Sequence, residues 1–574
     1  MAADESLLAA ATPRLRILML VHGFNSLSQR LHVELAARGH VLSVEYDIHD
    51  AITLEAVELF RPDVVLAPYL KRAIPEAVWR DVPCLIVHPG IPGDRGPAAL
   101  DRAILERRSH WGVTVLQAVA EFDAGPIWAH RSFPMREAPK ASLYRREVTT
   151  AAVEAVLEAL SRLAAGWQPE AQHEGLPGRT HRPVSLAERT IDWTSDRTAD
   201  VLRKIHSADG YPGVRGELAG VTCRLYDAHA EHGLRGAPGA LLARRGEALC
   251  RATVDGAVWI GHVRREDEHA LKLPATLALA AELAGLSDLP ELPEDDDGRV
   301  VYREADGVGW IDFPFHNGAM GTPHCRRLAE TVRMARSRGV RVLVLTGGPE
   351  FWSNGIHLNL IEAADSPADA SMHNIEAMND LVAELLECRG LWLIAALRGN
   401  AGAGGCFLAL AADEVLAHDG VVLNPHYRNM GNLYGSEYWT YLLPKRVGED
   451  GVAHVLDRRL PLGAHEAAAI GLIDGCIGPA AGFMEAVDAH ARAVAADPDF
   501  PRLIAAKLDG YAADEREKPL AVYRAEELER MRLNFYGFDP SYHVARHAFV
   551  HRRPQSWTPL HLAIHRRRTP PQPT

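Results

Sequence analysis

The chain is poor in the features that mark secreted, membrane-spanning or nucleic-acid-binding proteins. Its seven cysteines are scattered through 574 residues with no C-x-x-C pair. That spacing excludes a disulfide framework and makes reduced thiols and a cytoplasmic location the expectation. No stretch approaches the roughly 20 apolar residues a membrane span needs. The first residues, MAADESLLAAATPR, lack the basic region that precedes the apolar core of a signal peptide. A net charge of −13 implies no uniformly basic face, so nucleic acid is not an expected partner. The first apolar run is followed by HGFNSLSQR (His22 to Arg30) rather than G-x-G-x-x-G, so a dinucleotide site is not expected, whatever Asp47 does after the second strand. The remaining partners are small molecules or other proteins.

What is present is an ordinary globular composition, 47% hydrophobic and 24% charged, on a chain too long for one core. RILMLV (Arg16 to Val21) reads as a buried parallel strand, a helix follows over about Ser28 to Arg38, and VLSVEYD ends a second strand at Asp47. Continued alternation through VELFRPDVVLAPYL and PCLIVHP predicts an α/β domain with a doubly wound sheet over residues 1–186. Shorter β-type runs with glycine turns then predict a small β-barrel over 187–285. LSDLPELPEDDDGR (Leu286 to Arg299) has a linker's composition. Strand and helix alternate again over 300–574, through VGWIDFPF, VRVLVLTGG and LWLIAALRG.

In the first block, LIVHPGIPGDRGPAALDRAI (Leu85 to Ile104) and WGVTVLQAVAEFDAGPIW (Trp111 to Trp128) resemble the formyltetrahydrofolate-dependent formyltransferases. The likeness implies that His88 and Asp123 are the catalytic histidine and aspartate, and that Pro89, Gly90, Arg95 and Gly96 form the folate-binding loop. An imidazole oriented by a carboxylate suits formyl transfer, which must polarise a carbonyl and shuttle a proton near neutral pH. The plainer alternative is that His88 caps a buried strand and Asp123 fixes a turn beside Gly125. Where that family has an asparagine two residues before the histidine, this chain has Ile86. Asn25 or Gln29 could substitute for the lost amide, or the acceptor is an easier nucleophile than an amine, such as a thiolate.

In the last block, VRVLVLTGGPEFWSNGIHL (Val340 to Leu358) and RGNAGAGGCFLALAADEV (Arg398 to Val415) resemble the two signatures of the crotonase, or enoyl-CoA hydratase/isomerase, family. By that likeness the N–H groups of Ile356 and Gly404 hold a thioester oxygen, a stabilisation that needs no side chain. His357 replaces the usual aspartate, Phe407 stands where the family has a glutamate, and His426 stands where hydratases place a second one. Phe407 cannot move a proton. HYRNMGNLYGSEYWTYLLPKRVG (His426 to Gly448) follows, and Tyr427 with Glu437 is the candidate proton relay, Glu437 acting as base if desolvation raises its pKa. The competing arrangement has Tyr427, Tyr434 and Tyr438 packing a core while Glu437 caps a helix or pairs with Arg446. His543, His547 and His551 fall on one helical face, but without a nearby carboxylate in the sequence no metal site is assigned. Arg546 and Arg552 beside them are candidates for a CoA phosphate.

Joined, the two halves resemble the HypX/HoxX family of NiFe-hydrogenase maturation proteins, with VHPGIPGDRGP, NMGNLYGSEYWTYLLP and NFYGFDPSYHVARHAFVHR carrying the likeness. That resemblance implies formyl transfer from 10-formyltetrahydrofolate to coenzyme A, then cleavage of formyl-CoA to carbon monoxide and CoA. Tetrahydrofolate and CoA are the implied cofactors, and hydrogenase maturation proteins the implied partners. Two other readings stay open: an amine or sugar-nucleotide N-formyltransferase fused to an unrelated acyl-CoA enzyme, and a non-catalytic carrier or scaffold in metallocentre assembly.

Overall fold

The computed structural model describes residues 13–293 and 300–567, which form two compact units. The first comprises residues up to Leu292 together with the segment from Gln555, and the second runs from Pro293 to Pro554.

Six strands make the first sheet: β1 (Arg16–Val21), β2 (Val41–Tyr46), β3 (Val64–Tyr69), β4 (Cys84–His88), β5 (His110–Gln117) and β6 (Ile127–Pro134). Their order is β2-β1-β3-β4-β5-β6. The first four are mutually parallel and the last two join antiparallel. β1 is buried along five of its six residues, as an interior parallel strand must be. The helix Ser26–Ala37 starts at Asn25, whose side chain accepts the Ser28 N–H and so caps it. Strand β4 ends at His88, so the sheet itself delivers the imidazole to its carboxyl edge.

The second sheet holds β7 (Val214–Leu218), β8 (Val221–Glu231), β9 (Leu241–Arg245), β10 (Ala248–Ala252), β11 (Ala257–Arg265) and β12 (Leu273–Pro274). It is antiparallel, ordered β7-β8-β11-β10-β9, with β12 on β11. Among the described residues no pairing joins β7 to β9, so the strands expected to close a barrel form an open path, with Leu225, Leu249, Val258 and Ile260 in the core beside it.

Two boundaries differ from the sequence reading. The segment expected to begin a linker at Leu286 is packed: Leu289 and Leu292 lie against the second sheet's core clusters, and the Leu292 N–H donates to Arg244 O at 2.9 Å. The prolines and acids that suggest a linker alternate here with leucines that bury. Residues 294–299 of that segment lie outside the described residues. The residues from Gln555, which the sequence pattern assigns to the C-terminal block, belong to the first unit. There Thr558, His565 and Arg566 all bond the carboxylate of Glu45, a residue of β2 with no exposed surface. Burial alone would raise the Glu45 pKa, but these three donors bring it below the usual carboxylate value.

The second unit carries a six-stranded sheet of β13 (Val301–Ala305), β14 (Val308–Asp312), β15 (Val342–Leu345), β17 (Trp392–Leu397), β19 (Glu414–Ala417) and β22 (Gly475–Cys476), in that order. Beside it lie four short strands, β16 (Phe351–Ser353), β18 (Asn400–Gly402), β20 (Val422–Asn424) and β21 (Leu462–Gly463). Period-two alternation splits the large sheet between two cores. Leu343, Leu345, Leu393, Ala395 and Leu397 face one, and Val342, Val344, Ile394 and Ala396 face the other. β16 and β18 pair in parallel, and this pairing brings the two glycine-rich signatures together.

Candidate active sites

At the end of β4, His88 is buried between two carboxylates. Its Nε2 lies 2.9 Å from Asp94 Oδ2 and its Nδ1 lies 3.5 Å from Asp123 Oδ1. The other oxygen of Asp94 is 3.1 Å from His181 Nε2. The loop from Pro89 to Gly96 is shaped for this cluster. A Cβ on Gly90 would stand 2.3 Å from His88 Nε2 and 2.7 Å from Asp94 Oδ2, so any side chain there would break the pair. Pro89 O accepts the Trp111 indole N–H at 2.8 Å, and Gly90 O accepts the Thr114 hydroxyl at 2.8 Å. Gly96 has φ 108° and donates its N–H to Asp123 Oδ2 at 3.1 Å. Asp123 itself holds φ 55°, a left-handed conformation that aspartate tolerates better than most residues. Arg95, part-buried, lies 3.3 Å from Gln172 and 3.4 Å from Glu121.

Sequence reasoning placed His88 and Asp123 side by side but overlooked Asp94 and His181. Asp94 was within reach of it, as the one acid in the Pro/Gly-rich loop; His181 lies in a segment with no pattern of its own. Ile86 faces Leu116 in the sheet register and is partly buried against apolar neighbours. The Asn25 amide reaches the Tyr144 hydroxyl at 3.4 Å, and the Gln29 amide donates to Phe24 O at 2.9 Å.

In the second unit the two signatures meet at Gly355 and Gly404. A Cβ on Gly355 would lie 3.3 Å from Gly404 N, so the two turns are in van der Waals contact. Gly404 opens the helix Gly404–Leu410, which leaves its N–H without a carbonyl one turn back. Ile356, next after Gly355, aligns with Met320, and the Met320 N–H bonds Gly355 O at 2.9 Å. His357 caps the helix Leu358–Glu362, its Nδ1 accepting the Leu360 N–H at 3.3 Å.

The carboxylate of Glu437 lies directly over Gly404. A Cβ there would come 2.3 Å from Glu437 Oε1. The residue is 1% exposed with φ 62°. Its Oε2 accepts the Tyr427 hydroxyl at 2.5 Å and the Ser436 N–H at 3.2 Å. Asn379 Oδ1 accepts the Glu437 N–H at 2.8 Å and so helps fix the strained backbone. Burial pushes the Glu437 pKa up to about 7, the Tyr427 hydroxyl opposes that shift, and the charge of Glu527 adds to it. Glu527 is also buried, accepting the N–H groups of Tyr438 and Thr440 at 2.9 Å each, and burial takes its pKa to about 7. Phe407, with no exposed surface, stacks on Tyr427 with ring centroids 5.3 Å apart and planes 14° apart. Cys406 beside it is a buried thiol that burial pushes up to about 12, so it is no thiolate nucleophile.

Other sequence candidates sort as follows. Arg446 pairs with Asp474 rather than Glu437, Tyr434 is part-exposed, and Tyr438 packs into the core. His426 is buried, with its N–H on Asn424 O at 2.8 Å. Arg546 is 4% exposed and its Nε holds Glu362 at 2.7 Å, which occupies the guanidinium proposed for a CoA phosphate. Arg552 is exposed just past the helix Ser541–Val550. Glu527 carries no sequence signal of burial, because it stands with Glu526 and Glu529 in a helix of mixed charges, Leu520–Tyr536.

Comparison with known proteins covers both units. The formyl transferase family matches residues 33–160, the formyl transferase C-terminal domain family 183–279, and the enoyl-CoA hydratase/isomerase family 313–559. The chain is 55% identical over 562 residues to the hydrogenase maturation factor HoxX of Bradyrhizobium diazoefficiens, covering 97% of this chain and 99% of that one. It superposes on the crystal structure of HypX from Aquifex aeolicus in complex with tetrahydrofolic acid with a TM-score of 0.93 at 46% identity, covering 96% and 99% of the two chains. A methionyl-tRNA formyltransferase of Stenotrophomonas maltophilia is 27% identical over 247 residues, 42% of this chain and 79% of that one.

Proposed function

The chain belongs to the hydrogenase maturation factor HoxX/HypX family, and from that premise we propose that it makes carbon monoxide in two steps, formyl transfer to CoA followed by decarbonylation. The first step belongs to residues 1–186 with the sheet over 187–285, the second to residues 300 onward. Location in the cytoplasm beside hydrogenase maturation proteins is part of the same reading; among the described residues no helix is long and apolar enough to cross a membrane.

For the first step, tetrahydrofolate is bound by the HypX relative in its crystal structure, which supports 10-formyltetrahydrofolate as the donor here. The loop Pro89, Gly90, Arg95 and Gly96 holds it beside His88. The CoA sulfur attacks the formyl carbon, the bond from that carbon to N10 breaks, and His88 carries the thiol proton to N10. Asp94 and Asp123 orient the ring and offset its charge while it holds that proton. A thiolate acceptor needs less oxyanion help than an amine, which is compatible with Ile86 in the asparagine's place.

For the second step, the N–H groups of Ile356 and Gly404 hold the formyl oxygen. Glu437 takes the formyl proton as the bond from carbon to sulfur breaks, and then returns it to the leaving thiolate, with Tyr427 bonded to its other oxygen. One proton is moved, none is gained or lost, and no oxidant is needed. A carboxyl with a pKa of about 7 exists in both forms near neutral pH, as a group that must take and return a proton requires. Phe407 and the ring it stacks on keep water from hydrolysing the thioester to formate.

The observation that carries this reading is the buried Glu437 carboxylate lying over Gly404, in a crotonase-type pocket whose usual acid position holds Phe407. The test is product analysis with 10-formyltetrahydrofolate and CoA. The Glu437→Gln variant is expected to accumulate formyl-CoA and the His88→Ala variant to form none. Formyl-CoA accumulating in the double variant His88→Ala, Glu437→Gln as it does in Glu437→Gln alone would overturn the assignment of the first step.

A further inference from the structure

We propose that Glu362, His547 and His551 form a binding site for a divalent cation of the zinc class, separate from the formyl chemistry. The helix Ser541–Val550 puts His543 and His547 one turn apart, and His551 continues the face because its N–H bonds His547 O at 3.0 Å. Of the three histidines the outer one turns away: His543 Nε2 is 2.9 Å from Phe535 O and its Nδ1 is 2.8 Å from Arg546 Nη1. A carboxylate takes its place from a distant stretch of sequence, the end of the helix Leu358–Glu362.

His547 Nδ1 lies 2.8 Å and His551 Nε2 lies 3.3 Å from the same oxygen, Glu362 Oε1. The three donor atoms all fall within 4.8 Å of one another. Ligands about 2.0–2.2 Å from one tetrahedral ion are separated by about 3.3–3.6 Å, close to the two imidazole–carboxylate distances. Arg546 Nε grips the other carboxylate oxygen at 2.7 Å, and this turns Oε1 toward the imidazoles and fixes it there. His547 is half exposed, which gives an ion entry from solvent and leaves a fourth position for water. Two imidazoles with one carboxylate suit zinc, cobalt or nickel rather than calcium or magnesium, which prefer oxygen donors. Bound there, the ion fastens the helix Ser541–Val550 to the helix Leu358–Glu362.

The test uses the full chain without a histidine tag, stripped with chelator and titrated with Zn²⁺ by calorimetry, and with Co²⁺ by its visible absorption. Wild type is expected to bind one equivalent, show the intense absorption of tetrahedral cobalt, and unfold at a higher temperature with Zn²⁺. His547→Ala and His551→Ala are each expected to weaken binding at least tenfold, while His490→Ala, a change on another helix, leaves it intact. His547 is exposed enough that its removal does not threaten folding, which a circular dichroism spectrum checks. Absence of stoichiometric binding by wild type, or binding undiminished in both His547→Ala and His551→Ala, would overturn the proposal.

Discussion

Replacing Glu437 by glutamine is expected to flatten the pH dependence of stability while abolishing carbon monoxide formation. The carboxyl titrates at about 7 in the folded chain against an ordinary value of 4.5. Between those two values the folded state holds a proton that the unfolded state has released, so stability is full below pH 4.5 and falls as pH rises towards 7. At about 1.4 kcal/mol per unit, ionising this one buried group costs the native state about 3 kcal/mol by pH 8. Glutamine is neutral at every pH and its amide oxygen still accepts the Tyr427 hydroxyl, so the variant escapes that cost. Glu527, with a pKa also near 7, remains as one further source of slope. The assay is urea unfolding of wild type and Glu437→Gln at intervals from pH 5 to pH 8. The variant is expected to gain about 2–3 kcal/mol on wild type between pH 5 and pH 8. Parallel curves across that range would refute the burial argument, and with it the reason for choosing Glu437 as the base.

Three further outcomes are expected. Asp94→Asn removes the carboxylate that holds His88 Nε2, and formyl-CoA production should fall by about a hundredfold or more with folding intact, measured by initial rates. Gly404→Ala places a methyl group against the Glu437 carboxylate, so formyl-CoA cleavage should be lost while transfer to CoA persists, read by assaying the two products separately. Deleting the chain from Gln555 strips Thr558, His565 and Arg566 from Glu45 and leaves a buried, unpaired carboxylate. The first unit should lose about 3–5 kcal/mol, visible as a lowered thermal transition.

The sequence was most legible where pattern and chemistry are both local. RILMLV is β1 residue for residue, and the alternation that follows it predicts the parallel sheet because interior strands must be apolar on both faces. The two glycine-rich signatures could be read as a pair, since their glycines are imposed by close approach: a Cβ on Gly405 would sit 2.1 Å from Ser353 O. Contacts between distant segments were the illegible part. Glu362 meets His547 and His551 across nearly two hundred residues, and Glu45 meets His565 across more than five hundred. No local periodicity encodes such pairs. Leu289 and Leu292 show a different limit: a proline- and acid-rich composition says that a segment can be extended, not whether its leucines find a core.

The account rests on the origin of one molecule, so the decisive experiment follows its carbon. Wild type and Glu437→Gln are given 10-formyltetrahydrofolate carrying ¹³C in the formyl group, with and without CoA, and headspace gas is captured on a haemoprotein. The account predicts labelled carbon monoxide from wild type only when CoA is present, and none from Glu437→Gln. Labelled formate or stable formyl-CoA without carbon monoxide from wild type would contradict it.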